Sequence, residues 1–526
     1  MKRGIYYVML CLVGFSVLSC NKQLEINPID QIPDATFWSA ERDLDGAVAG
    51  AYALLRKTLS ESPKNNNDDN GYHPRFYMYG DRRASNFMAV GQDPIRANID
   101  NDIKVNRLRS VLGGTRQWED ILFNWAAFYQ VIEQCNIVLE NAHRVPDNQF
   151  IRYNRDLYVA EARFIRAFTY FYIVRVWGNV PLVTKSKTTD KLGRTDMNAV
   201  LDFVDAELKA AEANLPLQYP ETGRNAFRAT KGTAYATLAH SLAWRHKDAE
   251  AITWATKVID GGVYKLIKDT KPAPGGSIVN PLYRTIWKGR TVEGIFEIDF
   301  DAATGEYGRN GSLANMTLFG GVYSTRSQPY WSPAYMKVDP ANGNRAITRI
   351  SDPKMIYPDS TKDERFLTLL ASPVSATVGQ TYVFAKYGYA VDPVANLFDA
   401  NIVIFRMADI ILLRAECYAR QQNYTAARAD LNTIRQRVWL DNWTGADADL
   451  YLEIFRERSR ELLGEGHYFY DLVRTGFITD PDYNKIPTRP DMTQTDFDEG
   501  AWTWPVSQRA FTDNPNMEQL RYWQRY

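Results

Sequence analysis

Residues 461–476 read ELLGEGHYFYDLVRTG, and they place an acid, Glu465, and a histidine, His467, in a glycine-rich turn. Such a pair fits either a catalytic site or a corner between two helices. The residues before Gly464 have helical periodicity, and glycine is common at the left-handed position that ends a helix. A short helix then resumes and meets a second glycine stop at Gly476. The pattern predicts a corner with charges paired across it by Arg458, Glu461, Asp471 and Arg474, and with His467 hydrogen-bonded there.

Helical periodicity recurs along the chain, and two helix pairs share one spacing of small and large residues. Its five positions are filled by Ala239, Leu242, Ala251, Ala255 and Val258 in one pair, and by Ala415, Tyr418, Ala427, Leu431 and Ile434 in the other. Small residues at the first and third positions let two antiparallel helices approach closely, as in tetratricopeptide repeats. Ala167 and Tyr170 indicate another first helix, with its partner displaced beyond residues 178–183. The sequence predicts a mainly α, tetratricopeptide-like helical repeat scaffold with long aromatic-rich loop insertions and little β structure.

The composition is that of a globular protein with a sizeable core. The chain has 526 residues, of which 45% are hydrophobic and 24% charged. Because Lys+Arg and Asp+Glu are both 62, no net field favours nucleic acid or anionic lipid as a partner. The aromatic share of 13%, with 31 Tyr and 13 Trp, favours a half-exposed binding surface. The four cysteines form no disulfide framework; Cys135 and Cys417 are expected to be buried in helices, and their pairing stays open.

The N-terminus has the features of an export signal. Lys2 and Arg3 precede an apolar run over residues 5–18 that is too short for a comfortable membrane span, and VLSC ends at Cys20. A cysteine directly after a cleavage site resembles a bacterial lipobox, so Cys20 is predicted to be lipidated; the alternative is a secretory signal with an incidental cysteine. The predicted organisation is a signal peptide at 1–19, a lipidated cysteine and tether at 20–36, and a domain at 37–526 with an N-terminal helical part (37–260), a loop-rich insert (261–400) and a C-terminal helical part (401–526).

Several stretches match one known family in their order along the chain. The lipobox at Cys20 is followed by AEARFIRAFTYFYIVRVWGNVPLV (160–183), RMADIILLRAECYAR (406–420), ERSRELLGEGHYFYDLVRTG (457–476) and WPVSQRAFTDNPNMEQ (504–519). Together they resemble the SusD/RagB family of outer-membrane nutrient-binding lipoproteins, although Val506 and Ser507 stand where a second proline is common. The resemblance implies a tetratricopeptide scaffold at the cell surface and a glycan, oligosaccharide or polysaccharide, captured without chemistry. It also implies a SusC-like TonB-dependent transporter as partner, with the lipoprotein as its lid.

Two loop regions combine aromatic planes with planar polar side chains, which suit sugar rings and their hydroxyls. The first, residues 72–90, resembles a segment that recurs in the family; a loop-stabilising Asp–Arg pair is the alternative. The second, residues 306–338, is broken by glycine, serine and proline, and its rings either stack on ligand or pack the loop onto the scaffold. The predicted ligand-binding residues are Asp81, Arg82, Asn86, Trp118, Tyr323, Tyr330 and Trp331, whereas Trp125, Tyr129 and Trp177 are expected in the core.

Catalytic and metal-binding patterns are nearly absent, so no catalytic residue and no cofactor is predicted. The five histidines form no i, i+4 pair, and neither a CxxC motif nor G-x-S-x-G occurs. Residues 65–71 (NNNDDNG) begin like a calcium loop, but Tyr77 stands where the bidentate Glu should be, which leaves a looser structural calcium site or a solvated loop. The alternatives to glycan capture are a lipid-anchored glycosidase and a peptide-binding or adhesive surface protein. Arg82 and Arg83, side by side, either select anionic sugars or face solvent.

Overall fold

The computed structural model of this protein describes the helical regions of the chain and short pieces between them. Side chains are described for residues 37–60, 75–84, 102–103, 105–108, 120–268, 286, 288–300, 357–358, 362–363, 365, 400–480, 492–512 and 514–526. The backbone alone is described for residues 87–90, 347–350, 370–371, 383–384, 391–392 and 397–398. Predictions for other residues lie outside the described part of the chain.

Helices dominate the described chain, which confirms the prediction of a mainly α fold. They are α1 Glu41–Ser60, α2 Arg75–Gly80, α3 Asp120–Phe123, α4 Ala126–Asn141, α5 Arg155–Trp177, α6 Met197–Glu212, α7 Lys231–Trp244, α8 Asp248–Asp260, α9 Met407–Arg420, α10 Tyr424–Arg437, α11 Asp447–Glu461, α12 Tyr468–Thr475, α13 Gln494–Asp498 and α14 Arg509–Thr512. Short 3-10 turns occur at Arg82–Ala84, Ala142–Arg144, Asp147–Gln149, Thr222–Arg224 and Arg521–Arg525. Of the helices described, none is long and apolar enough to span a membrane.

The helices that follow the predicted spacing pack as pairs. α7 contacts α8, α9 contacts α10, and α8 also lies against α9. Every position of the spacing is buried except Tyr418, which is half-buried. The third predicted unit is present too, because α5 packs against α6 beyond the connecting loop. Ala251 and Ala255 are almost completely enclosed, so the close approach of α7 and α8 depends on their small size.

Strands are short and pair two at a time. They are β1 Phe87–Val90, β2 Gly294–Ile298, β3 Ile347–Ile350, β4 Leu370–Ala371, β5 Val383–Phe384, β6 Val391–Asp392, β7 Leu397–Phe398 and β8 Ile402–Arg406. The pairs are β1 with β3, β2 with β8, β4 with β5, and β6 with β7, all antiparallel. In the buried β2–β8 pair, Gly294 lies opposite Arg406 and Ile298 opposite Ile402. β8 runs directly into α9, so this pair fixes where the C-terminal helical part begins.

Two stretches differ from their predicted structure. Periodicity predicts one helix over residues 118–143, but α3 ends at Phe123 and α4 begins at Ala126. The side-chain oxygen of Asn124 accepts a hydrogen bond from the backbone N–H of Ala126 at 2.9 Å, which replaces the helical ladder at this point. Residues 72–90 are predicted as a loop, whereas α2 and a 3-10 turn occupy residues 75–84. A six-residue helix is too short for its periodicity to be detected.

The core contains the aromatic residues and cysteines that the sequence assigns to it. Trp177 has no exposed surface, Trp125 is 7% exposed, and their ring centres lie 5.9 Å apart, which confirms both as core residues. Tyr129 is half-buried, and its hydroxyl donates to a backbone carbonyl oxygen at 2.7 Å. Cys135 and Cys417 are buried free thiols. Burial raises the pKa of each to about 12, so both are inert apolar groups.

Candidate functional site

Only part of the predicted ligand site lies in the described chain. The predictions that fall outside the described residues concern Cys20, Asn86, Trp118, Tyr323, Tyr330, Trp331 and the calcium-like stretch 65–71. Asp81 and Arg82 are described, in the turn after α2, and they are 0% and 4% exposed. Both side chains are therefore buried in the framework. Ligand contact by these two residues stays a prediction.

Gly80 and Asp81 join the N-terminal part of the chain to the glycine-rich corner at 464–466. The Oδ2 atom of Asp81 accepts a hydrogen bond from the backbone N–H of Gly466 at 2.6 Å. A Cβ atom on Gly80 would lie 2.2 Å from the carbonyl oxygen of Gly466, and a Cβ on Gly466 would lie 2.5 Å from the Phe76 ring. Gly466 also has a φ of +77°, which favours glycine. The corner and the segment after α2 are therefore fitted to each other.

Arg83 lies next to this contact and holds the C-terminal segment. It has no exposed surface, and its Nη2 atom donates to Asn106 Oδ1 at 2.5 Å and to a backbone carbonyl oxygen of the C-terminal segment at 3.0 Å. Its guanidinium lies 5.1 Å from the centre of the Phe469 ring and 5.7 Å from that of Trp504, where the π faces attract a cation. Because Arg82 and Arg83 are both buried, the alternative in which this pair faces solvent is wrong.

A buried ion cluster surrounds the acid of the corner. Arg406 donates to the two carboxylate oxygens of Glu465 at 2.7 and 2.8 Å, and to Glu293 and Glu461 at 2.8 Å each. Arg437 pairs with Glu293 and Glu461 as well. Burial raises the pKa of Glu293, but Arg437 and Arg406 outweigh burial and lower it. Glu465 is 2% exposed and ion-paired, a position unsuited to a nucleophile or a general acid.

A second buried cluster encloses the histidine. The His467 ring centre lies 6.0 Å from that of His240, whose Nε2 is 2.8 Å from Asp409 Oδ2. Arg458 donates to Asp409 at 2.9 Å and to Asp471 at 3.1 Å. Burial is the main cause that lowers the pKa of His467 to about 4, with Arg458 and His240 adding to it and Asp409 and Asp471 opposing it. His467 is therefore a neutral core group at neutral pH.

The charges pair across the corner only in part as the sequence predicts. Arg458 of α11 pairs with Asp471 of α12 at 3.1 Å, whereas Arg474 pairs with Asp471 within α12 at 2.8 Å. Glu461 pairs instead with arginines of other elements, Arg406 among them. The glycines at both predicted helix stops have positive φ, +76° and +78°. The prediction of a corner between α11 and α12 is confirmed, and its acid and histidine are both withheld from solvent.

Several of the buried acids are paired with arginines. In the described part of the chain, no group of three or more His, Cys, Asp or Glu side chains could hold a metal. Glu416 is typical, since Arg474 donates to its two oxygens at 2.8 and 2.6 Å. Burial raises the pKa of Glu416, but Arg474 and Arg420 outweigh burial and hold it well below the usual range.

A hydrogen-bonded network closes the base of the loop-rich insert. The backbone N–H of Phe300 donates to Asn401 Oδ1 at 3.0 Å, and Asn401 Nδ2 donates to Glu297 Oε2 at 2.7 Å. Arg290 donates twice to Asp299, at 2.7 Å each. Burial raises the pKa of Glu297 to about 7. Three of the predicted aromatic contacts, Tyr323, Tyr330 and Trp331, lie between Phe300 and Asn401 in sequence, so both ends of their stretch are fixed to the scaffold.

Sequence reasoning missed the residues that make these long-range contacts. Glu293 and Arg406 are 113 residues apart, and Glu297 and Asn401 are 104 apart, so no local pattern connects them. One signal was available. Glu293 precedes and Glu297 interrupts the apolar stretch of EGIFEIDF (293–300), and a charge in or next to a buried strand requires a buried partner.

Two family models match the chain. One, described as SusD family, matches residues 396–523. The other, described as starch-binding associating with outer membrane, matches residues 84–241. The first match contains the glycine-rich corner and the helices α9, α10, α11 and α12, which carry residues of the two ion clusters. The second match contains α4, α5 and α6.

Similar proteins cover nearly the whole chain. SusD-like protein P38 of Formosa agariphila is 26% identical over 98% of this chain and 98% of its own length. The starch-binding protein SusD of Bacteroides thetaiotaomicron is 23% identical over 97% of this chain and 97% of its own. The crystal structure of a SusD homolog from Bacteroides thetaiotaomicron superposes with a TM-score of 0.71 at 25% identity, covering 92% of this chain and 98% of that one. The fold is thus shared over almost its full length.

Proposed function

This chain belongs to the SusD/RagB family, and on that premise we propose that it is a cell-surface lipoprotein that binds glycans. It captures oligosaccharide or polysaccharide and delivers oligosaccharide to a SusC-like TonB-dependent transporter of the outer membrane. The observation that carries the proposal is end-to-end similarity to a starch-binding protein. The family model described as starch-binding associating with outer membrane supports the same ligand class and location.

The ligand contacts are proposed on the loop-rich insert. Tyr323, Tyr330 and Trp331 stack on the apolar faces of sugar rings, because an aromatic plane matches such a face. The network of Phe300 and Asn401 supports this role by holding the base of the insert. The other proposed contacts are Asp81, Arg82, Asn86 and Trp118.

Capture without hydrolysis is proposed, and the acids around the glycine-rich corner support it because they are bound within the fold. A glycosidase needs two carboxyl groups that flank the scissile bond and reach the substrate. Glu465 and the acids around it are buried and bound to arginines. His467, the histidine beside Glu465, is buried as well.

Affinity electrophoresis in gels that contain starch, laminarin or another polysaccharide tests glycan capture. We expect at least one polysaccharide to retard the chain, and Trp331→Ala and Tyr330→Ala each to weaken binding by about tenfold, about 1.4 kcal/mol per lost stacking contact. Tyr526→Ala, which removes an exposed ring at the C-terminus, is the matched control and should run like the parent chain. Release of sugar products from the same polysaccharides would overturn capture in favour of a glycosidase. Calorimetric binding of peptides without binding of glycans would support the adhesive alternative.

The lipid anchor is tested at Cys20. Its acyl chains are the proposed membrane attachment, so Cys20→Ala should move the protein from the membrane fraction to the soluble fraction of cells. Cys11→Ala, in the apolar part of the leader, is the control and should leave the protein in the membrane. The anchor proposal fails when the Cys20→Ala protein stays with the membrane.

A further inference from the structure

A cavity of about 560 Å³ lies between α1 and α4, close to where the described chain begins. Its walls include the rings of Phe37 and Trp38, the polar side chains of Arg42 and Gln134, and the backbone of Gly46. The volume lies in the range of roughly 300–1,000 Å³ that small-molecule sites have. None of these residues belongs to the loop-rich insert or to the glycine-rich corner.

Trp38 presents an unused hydrogen-bond donor in this wall. Its side chain is packed edge-on against the Phe37 ring, with the ring centres 4.9 Å apart, and the residue is 6% exposed. Its Nε1–H is buried, and no described group accepts its hydrogen bond. A buried indole N–H usually has a partner, because water no longer supplies one. An oxygen atom of a molecule in the cavity would satisfy it.

Gly46 lines the cavity from an exposed position inside α1, where glycine weakens a helix relative to alanine. A Cβ atom at Gly46 would meet no atom within 4 Å, so none of its neighbours requires a glycine. At Gly50, one turn further on, a Cβ would meet Gln134 Nε2 at 3.8 Å. A larger side chain can therefore be placed at Gly46 without a clash, which makes this position suitable for testing the cavity.

The remaining groups suit hydroxyls better than an anion or an acyl chain. Gln134 donates to a backbone carbonyl oxygen of α1 at 3.0 Å, and among the described residues its side-chain oxygen accepts no hydrogen bond. Asp43 lies 3.4 Å from Arg42 Nε, so the two charges offset each other. A hydroxyl can donate to Gln134 and accept from Trp38, and a sugar ring also has an apolar face for the aromatic wall.

We propose that this cavity binds one sugar unit or a disaccharide. The ring face lies against Phe37, an oxygen accepts the Trp38 Nε1–H, and a hydroxyl donates to Gln134. The ligand class rests on the proposed function, and the cavity adds a glycan site on the helical scaffold, apart from the one proposed on the insert.

The test is NMR of the full chain with labelled tryptophan indoles, titrated with maltose, laminaribiose, mannobiose and xylobiose. Trp38→Phe assigns the Nε1–H peak of Trp38 by its absence. We expect at least one disaccharide to shift this peak saturably. Gly46→Leu fills the open space with a helix-forming side chain and should abolish the shift while the melting temperature is kept. The matched control Ala49→Leu adds the same side chain at another exposed position of α1, one that does not line the cavity, and should leave the shift unchanged.

Polysaccharide retention, measured on the same samples, separates this inference from the proposed function. Retention without a shift of the Trp38 peak overturns the cavity site and leaves glycan capture intact. If the chain shows neither polysaccharide retention nor a shift of the Trp38 peak, the cavity site and glycan capture are both overturned. A shift that persists in Gly46→Leu, or one produced by a fatty-acid probe and by no disaccharide, also overturns the cavity site. A shift that Gly46→Leu removes and Ala49→Leu keeps supports it.

Discussion

Gly80 and Gly50 are both helical glycines, but their surroundings predict opposite effects of an added methyl group. A Cβ at Gly80 would lie 2.2 Å from the Gly466 carbonyl oxygen, and backbone cannot move aside as a side-chain end can. We expect Gly80→Ala to destabilise the protein by about 2–3 kcal/mol or more through overpacking. Gly50→Ala should stabilise it by about 0.5–1 kcal/mol, because alanine favours the helix and meets only an ordinary contact.

Urea unfolding of both variants, monitored by circular dichroism, measures these two changes. The signs matter more than the sizes, because both substitutions add the same methyl group. Equal stabilisation by both variants would show that α2 and the glycine-rich corner do not touch in the way described.

Single residues show where sequence reasoning succeeds and where it stops. The positive φ of Gly464 and Gly476 is predictable, because a glycine that ends a helical pattern is a local signal. The contact between Gly80 and Gly466 is not predictable, because the local sequence around either glycine does not indicate a partner so far away in the chain.

Arg406 connects several elements of the C-terminal part. It ends β8, and its guanidinium reaches Glu293 before β2, Glu461 at the end of α11, and Glu465 in the corner. The side chain is 2% exposed, so all of these bonds are made away from water. The guanidinium of Arg406 therefore connects the β2–β8 pair, helix α11 and the glycine-rich corner.

Replacing Arg406 tests this connection. Arg406→Met leaves buried carboxylates with fewer partners and should cost about 3–5 kcal/mol of unfolding free energy. Arg406→Lys keeps the charge but loses the forked geometry, so an intermediate loss is expected. In the Arg406→Met/Glu465→Met double variant, the loss should be smaller than the sum of the single losses by about 1 kcal/mol or more. Additive losses in urea unfolding would contradict a direct coupling of Arg406 to Glu465.

Elements are predictable in proportion to their length and regularity. The pairs α7–α8 and α9–α10 follow from their spacing, because fourteen or so residues give a helical period several repeats. The six residues of α2 give none, and the break at Asn124 depends on one side-chain hydrogen bond. For the candidate site, sequence names suitable residue types in the loops, but their convergence depends on long-range packing that no local pattern encodes.

At the scale of the whole molecule, segments that are distant in sequence are joined into one helical framework. The segment after α2, the corner before α12 and the C-terminal segment meet through Asp81 and Arg83, although they lie far apart in sequence. Next to the β2–β8 pair, Phe300 and Asn401 are hydrogen-bonded to each other, so the chain between them leaves and re-enters the framework at one place. Loops carried by a packed framework can change their side chains without disturbing its core.

The buried histidines make the free energy of unfolding depend on pH. His467 has a pKa of about 4 in the folded chain and an ordinary value of 6.5 when unfolded, because burial disfavours its charged form. Burial lowers the pKa of His240 as well. The unfolded state therefore binds more protons between pH 6.5 and 4, so this stabilisation is complete above 6.5 and is lost as the pH falls through that window. For His467 alone the loss is at most about 3 kcal/mol.

Urea unfolding between pH 6.5 and 4.5 isolates this effect, since acids with the usual glutamate pKa of 4.5 stay largely ionised in the unfolded chain over most of that range. We expect the free energy of unfolding to fall toward pH 4.5, and His467→Phe, which fills the site without a titrating group, to reduce the slope. His143→Gln, which removes a histidine at an exposed position of the described chain, is the matched control. An unchanged slope in His467→Phe would mean that His467 does not become protonated on unfolding. The neutral, buried histidine of the corner would then be the wrong description.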